Sequence, residues 1–93
     1  MTNSQETISV RWENKPKQRY YRVIIQQDLF GSWILLRIWG GIQRKGGGTK
    51  VIMIDNFNQG IEILQSILTY RKKRGYNVVS AADNIGKKVV KLT

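Results

Sequence analysis

Ninety-three residues allow one small domain with a modest core, and leave no room for a second. With no cysteine and no histidine, disulfides, thiol nucleophiles, imidazole bases and the usual zinc sites are excluded. Sixteen Lys/Arg against six Asp/Glu give a net charge of +10, an excess that attracts polyanions, nucleic acid foremost.

The carboxylates Glu6, Glu13, Asp28, Asp55, Glu62 and Asp83 are scattered, which leaves little for paired acid–base chemistry or a hard-metal cage. The expectation is a binding protein with no cofactor, not an enzyme. Residues 1–7 lack the apolar segment of a signal peptide, and the run Trp33 to Trp39 is too short to span a bilayer. The chain is therefore read as soluble and cytoplasmic, without a membrane partner and with nucleoid association as an option.

Ile8, Val10 and Trp12 alternate with Ser9, Arg11 and Glu13, the period of a half-buried strand. Asn14 to Gln18, with the sole proline Pro16, reads as a polar connection. Arg19 to Gln27, rich in Tyr, Val and Ile, favours a second strand. Asp28-Leu29-Phe30-Gly31 then reads as a hairpin turn in which Gly31 supplies a positive φ.

Ser32 to Ile42 is the third expected strand. Ile34, Leu36 and Ile38 share one face, and Trp33, Leu35, Arg37 and Trp39 share the other. The aliphatic face reads as the core side, and the mixed indole–guanidinium face as a contact surface. Gln43 to Gly48 reads as a flexible basic loop, and Thr49 to Asp55 as a fourth strand.

A helix follows, with Asn56 as N-cap and Gln59 three residues on in a capping-box pattern. Phe57, Ile61, Ile63, Leu64, Ile67, Leu68 and Tyr70 cover about half of its circumference. Gly60 permits close approach to a sheet. Arg71 to Arg74 suit the helix dipole, and Gly75 is a ready C′ residue. Val78-Val79 is a candidate short strand, Asp83 to Gly86 a turn, and 80–93 a basic tail outside a core of about 8–79. The order β-β-β-β-α predicts an α+β fold: an antiparallel sheet of four to five strands with one amphipathic helix on one face.

Three basic–aromatic features stand out. Trp33, Arg37 and Trp39 offer stacking and phosphate pairing on one strand face, or else merely shield the sheet. Arg44-Lys45 followed by three glycines suits a phosphate, or is a solvated hairpin loop; it is no P-loop, because it leads into a strand. Arg71-Lys72-Lys73-Arg74-Gly75-Tyr76 is a phosphate clamp or plain dipole compensation. Arg71 falls at the angular position of Leu64 and Ile67, so its cation must snorkel or bind something.

Residues Tyr20 to Tyr76, 57 of the 93, resemble a WGR domain. The resemblance rests on Tyr20-Tyr21-Arg22-Val23, on Arg37-Ile38-Trp39-Gly40 with Ile42, on Gly46-Gly47-Gly48, and on the ending Arg71-Lys72-Lys73-Arg74-Gly75-Tyr76. WGR domains are known from DNA-dependent poly(ADP-ribose) polymerases and bacterial proteins. The resemblance implies a sheet with one helix that binds DNA, in the polymerases at strand breaks near a 5′-phosphate. It makes Trp39 the stacking residue and Arg71, Lys73 and Tyr76 the phosphate side. The motif arginine is Gly41 here, with Arg44 as a candidate substitute three residues on.

The functional expectation is a stand-alone module for nucleic acid, DNA in preference to RNA, at duplex ends or nicks. Its expected contacts are Arg37, Trp39, Arg44, Lys45, Arg71, Lys72, Lys73, Arg74 and Tyr76. The alternative is an adaptor that docks a protein partner on the Trp33/Trp39 face.

Overall fold

The computed structural model describes residues 7–43 and 46–83. In chain order they form β1 (Ile8–Asn14), β2 (Arg19–Gln27), β3 (Trp33–Gly41), β4 (Gly47–Met53), α1 (Phe57–Lys73) and β5 (Asn77–Asp83). The strands make one sheet of order β4-β3-β2-β1-β5, antiparallel at every pairing. The helix lies across one face, against β2 and β3. The fold is the expected α+β arrangement.

Which face the helix covers is a correction to the sequence reading. Ile8, Val10 and Trp12 stand opposite Ile25, Val23 and Tyr21, and those three stand opposite Leu35, Arg37 and Trp39. This is the core face: Val10, Trp12, Val23, Ile25, Leu35 and Leu64 are almost wholly buried. Trp33 packs on Phe57 of α1 with ring centroids 5.4 Å apart. The aliphatic residues Leu36, Ile38, Val51 and Met53 lie on the open face, where Val51 and Met53 are exposed and only Ile34 is buried. Counting apolar side chains within β3 alone misassigned the faces. The neighbours on β1 and β2 decide, since their buried residues all align with the tryptophan side.

Several strand boundaries also differ: β1 takes in Asn14, β3 runs Trp33–Gly41 rather than Ser32–Ile42, and β4 ends at Met53 rather than Asp55. The fourth strand begins at Gly47, not Thr49, because Gly47 and Gly48 pair with Gly40 and Trp39. The fifth runs seven residues, taking Ser80 to Asp83 out of the expected tail and laying them against β1. Asp83 ends this strand, and the expected Asp83–Gly86 turn and the rest of the tail beyond it lie outside the described residues.

The helix ends are built as the sequence suggests. Asn56 Oδ1 accepts from the Gln59 amide at 2.9 Å, while Gln59 Oε1 accepts from the Asp55 amide at 2.6 Å. The reciprocal bond therefore goes one residue earlier than a standard capping box. Gly60 is buried, and a Cβ there would come within 2.9 Å of Ile54 and 3.0 Å of Ile25. At the far end Gly75 adopts φ +88. The Tyr76 amide donates to the Arg71 carbonyl and the Gly75 amide to that of Lys72, the paired bonds of a Schellman motif.

Candidate nucleic-acid interface

The Schellman turn fixes Arg71 and Tyr76 relative to each other, and buried Asn14 fixes the turn to the sheet. Asn14 Nδ2 donates to the Arg74 carbonyl at 3.2 Å, and its Oδ1 accepts from the Lys17 amide at 3.2 Å. One side chain thus ties the end of β1, the β1–β2 connection and the helix C-terminus together.

Arg71 is held over the core face. Its guanidinium carbon sits 3.8 Å from the centroid of the Tyr21 ring, and 5.2 Å from that of Tyr76. Tyr21 itself is wedged against Trp12, with centroids 5.7 Å apart, and its hydroxyl accepts from Arg37 Nε. Two guanidinium groups therefore address one buried tyrosine, one at its face and one at its hydroxyl. No carboxylate intervenes: the one ion pair among the described residues joins Arg11 and Glu13.

These groups line a pocket of about 320 Å³ formed by Arg19, Tyr21, Arg37, Trp39, Lys50, Arg71 and Tyr76. Four cations and three aromatic rings meet there. Arg71 Nε is buried and has no hydrogen-bond partner. A buried N–H of a charged group left unmade costs on the order of 1–3 kcal/mol. An anionic oxygen reaching it would recover that cost and relieve the repulsion among the four cations.

Trp39 forms one wall because of a glycine. It stands opposite Gly48 across the β3–β4 ladder, and the indole lies where a Cβ on Gly48 would be, only 2.7 Å from Cζ2. Two members of the glycine run, expected as a phosphate site or a solvated hairpin loop, belong to β4 and pair with β3. Gly40 is pressed equally hard, with Tyr20 and the Gly46 carbonyl each within 2.9 Å of its virtual Cβ.

Of the expected contact residues, Arg37, Trp39, Arg71 and Tyr76 converge on the pocket. Lys72, Lys73 and Arg74 do not line it; they are exposed on the adjoining helix end, where Arg74 approaches the Tyr70 ring at 5.3 Å. Arg44 and Lys45 lie outside the described residues. Sequence reasoning missed Arg19, Tyr21 and Lys50. Alternation puts Arg19 and Tyr21 on the face of Val23 and Ile25, and Lys50 on that of Ile52, but only the strand pairing brings them to the pocket. Among the described residues no cluster of three metal-ligating side chains occurs, and no helix is long and apolar enough to cross a membrane.

The described residues thus form an antiparallel sheet with one helix and a cationic–aromatic pocket at the helix C-terminus. The family model of the WGR domain matches residues 5–83, and the chain belongs to that family, whose members are generally nucleic-acid-binding. It is similar to the uncharacterized protein y4dW of Sinorhizobium fredii, 38% identical over 61 residues. That match covers 62% of this chain and 28% of the relative's length, so the chain spans well under half of the protein it resembles. No solved structure gives a significant match.

Proposed function

We propose that the chain binds DNA in preference to RNA, at duplex ends or nicks, and acts by binding rather than catalysis. A phosphate enters the pocket among Arg19, Arg37, Lys50 and Arg71, and a terminal sugar or base rests on Trp39. Lys72, Lys73 and Arg74 extend the cationic surface along the neighbouring backbone. The observation that carries the reading is the buried, unpartnered Arg71 Nε in a pocket that contains no carboxylate. The position of the family's motif arginine is held by Gly41, and the pocket's own four cations make up its charge. A cytoplasmic location goes with this reading.

The test is fluorescence anisotropy with a short 5′-phosphorylated duplex, a closed dumbbell of the same sequence and a single-stranded RNA, across a salt series. If about five phosphates are neutralised, log affinity falls with log salt at a slope of about −4 to −5. Preference for the open duplex near physiological salt is the expected result. Equal, steeply salt-sensitive binding to all three would reduce the function to generic polyanion binding, and absence of binding would remove it.

A further inference from the structure

Among the described residues, two long stretches carry no lysine or arginine. Neither 23–36 nor 51–70 contains a lysine or arginine, yet these stretches hold Asp28, Asp55 and Glu62, three of the six carboxylates. Their turn and helix-entry residues, 27–33 and 54–57, lie at the end of the sheet away from the pocket. Antiparallel pairing sets Gln27 beside Trp33 there, and the helix begins there, its entry tied by the Ile54 amide to the Trp33 carbonyl. The strand rise separates Tyr21 from Gln27 by about 20 Å.

At that end the β2–β3 turn presents two large apolar side chains to solvent. Leu29 is 98% exposed and Phe30 92%. The turn that displays them is tightly bonded. Asp28 Oδ1 accepts from the amides of Phe30 and Ser32, both at 2.9 Å, and the Asp28 amide donates to the Ser32 carbonyl at 2.8 Å. The Gly31 amide donates to the Asp28 carbonyl, Gln27 Nε2 to the Gly31 carbonyl, and Gly31 holds φ +83. A turn whose backbone is already bonded in place loses little further backbone freedom on binding, which lowers the ordering cost of an interface. Met53, 67% exposed, stands opposite Ile34 at the base of the same hairpin and extends the apolar surface.

We propose that the Leu29–Phe30 turn, with Met53, is a protein-docking knob, distinct from the nucleic-acid pocket. Its partner presents an apolar pocket bordered by lysine or arginine. The charges select this occupant. Asp28 and Asp55 repel phosphate backbones and anionic lipid headgroups, and a symmetric contact with a second copy would set these carboxylates against their own equivalents. A cationic rim pairs with them, while Leu29 and Phe30 supply the apolar anchor.

The test is a displayed random-peptide library selected on the full chain, with subtraction on the variant L29S/F30S. Both positions are solvent-exposed, so the variant should keep the far-UV circular dichroism and Tm of the parent, which is checked first. The expected result is enrichment of peptides that combine aromatic or aliphatic residues with Lys or Arg. Their affinity should fall at least about tenfold on L29S/F30S and stay unchanged on R71E. Enrichment of acidic peptides, of peptides indifferent to L29S/F30S, or of none would overturn the proposal. So would phosphatidylcholine-vesicle binding that L29S/F30S abolishes, which assigns the turn to a lipid surface. Self-association in sedimentation velocity that the same variant abolishes would overturn it as well, by assigning the turn to a second copy.

Discussion

Gly48 and Trp39 are cross-strand partners in which the glycine's missing side chain is the space occupied by the indole. The wall of the pocket thus depends on a residue that carries no chemistry of its own. Substituting Gly48 with valine would force the ring off its site or push β4 away from β3. Overpacking of this kind costs about 1–3 kcal/mol. We expect G48V to lower the urea midpoint accordingly and to weaken duplex binding as much as W39A does. T49V, one residue along on an exposed position, should change neither by more than about 0.5 kcal/mol.

Arg71 opposes stability and function. Its stacking on Tyr21 is worth about 0.5–2 kcal/mol, whereas its buried, unpaired Nε costs about 1–3 kcal/mol before any repulsion from Arg37 is counted. The two nearly offset, and the repulsion from the neighbouring cations weighs against the guanidinium. R71M, which keeps the apolar stem and discards the cation, should therefore leave the free protein as stable as the parent or up to about 1 kcal/mol more so. In the same variant the log–log salt slope for duplex binding should fall by about 1. R71K retains the charge but not the planar fork; its slope should match the parent while its affinity drops. A loss of stability in R71M by 2 kcal/mol or more would mean that the guanidinium is structural.

The antiparallel fold, the helix and its caps were legible because they rest on local chemistry. Asn56 and Gly75 sit at the ends of one helical period, and Gly31 occupies a turn that needs its positive φ. The covered face of β3 was not legible from β3, where both faces are apolar; Tyr21 and Trp12 settle it through pairings made 18 and 27 residues away in sequence. Arg37, Trp39, Arg71 and Tyr76 could be picked out because cation and aromatic recur within short segments. Arg19 and Lys50 could not, since each becomes part of the pocket only once β2, β3 and β4 lie side by side. The fifth strand was underestimated for a related reason. Ser80, Ala81 and Ala82 carry weak strand propensity, and their place comes from the free edge of β1.

Asn14 shows how much of the site depends on one buried polar side chain. N14A would strand the Lys17 amide and the Arg74 carbonyl and leave a small void, at a cost of about 1–3 kcal/mol. N14D should be no milder, because it turns a second oxygen toward the Arg74 carbonyl where an amide donor is required. Both variants should show reduced urea midpoints. Both should also bind duplex DNA less tightly than their stability alone requires, since the turn that sets Arg71 against Tyr21 and Tyr76 loses its anchor.

The exposed cations and the pocket should separate in experiment. Lys72, Lys73 and Arg74 are exposed on the helix end, so in the proposed mode they meet phosphates of an open and a closed duplex alike. Replacing all three with glutamine should weaken binding to an open duplex and to a closed dumbbell by the same factor, and reduce the salt slope by about 2–3. The proposed stacking on Trp39 instead requires an exposed sugar or base, which a closed duplex does not offer. W39A should therefore lower affinity for the open 5′-phosphorylated duplex by about tenfold while changing the dumbbell by less than about twofold. Side-by-side titrations of the two variants on the two DNAs check both statements. Equal loss on both DNAs in W39A would remove the stacking role and leave the pocket as a phosphate site alone.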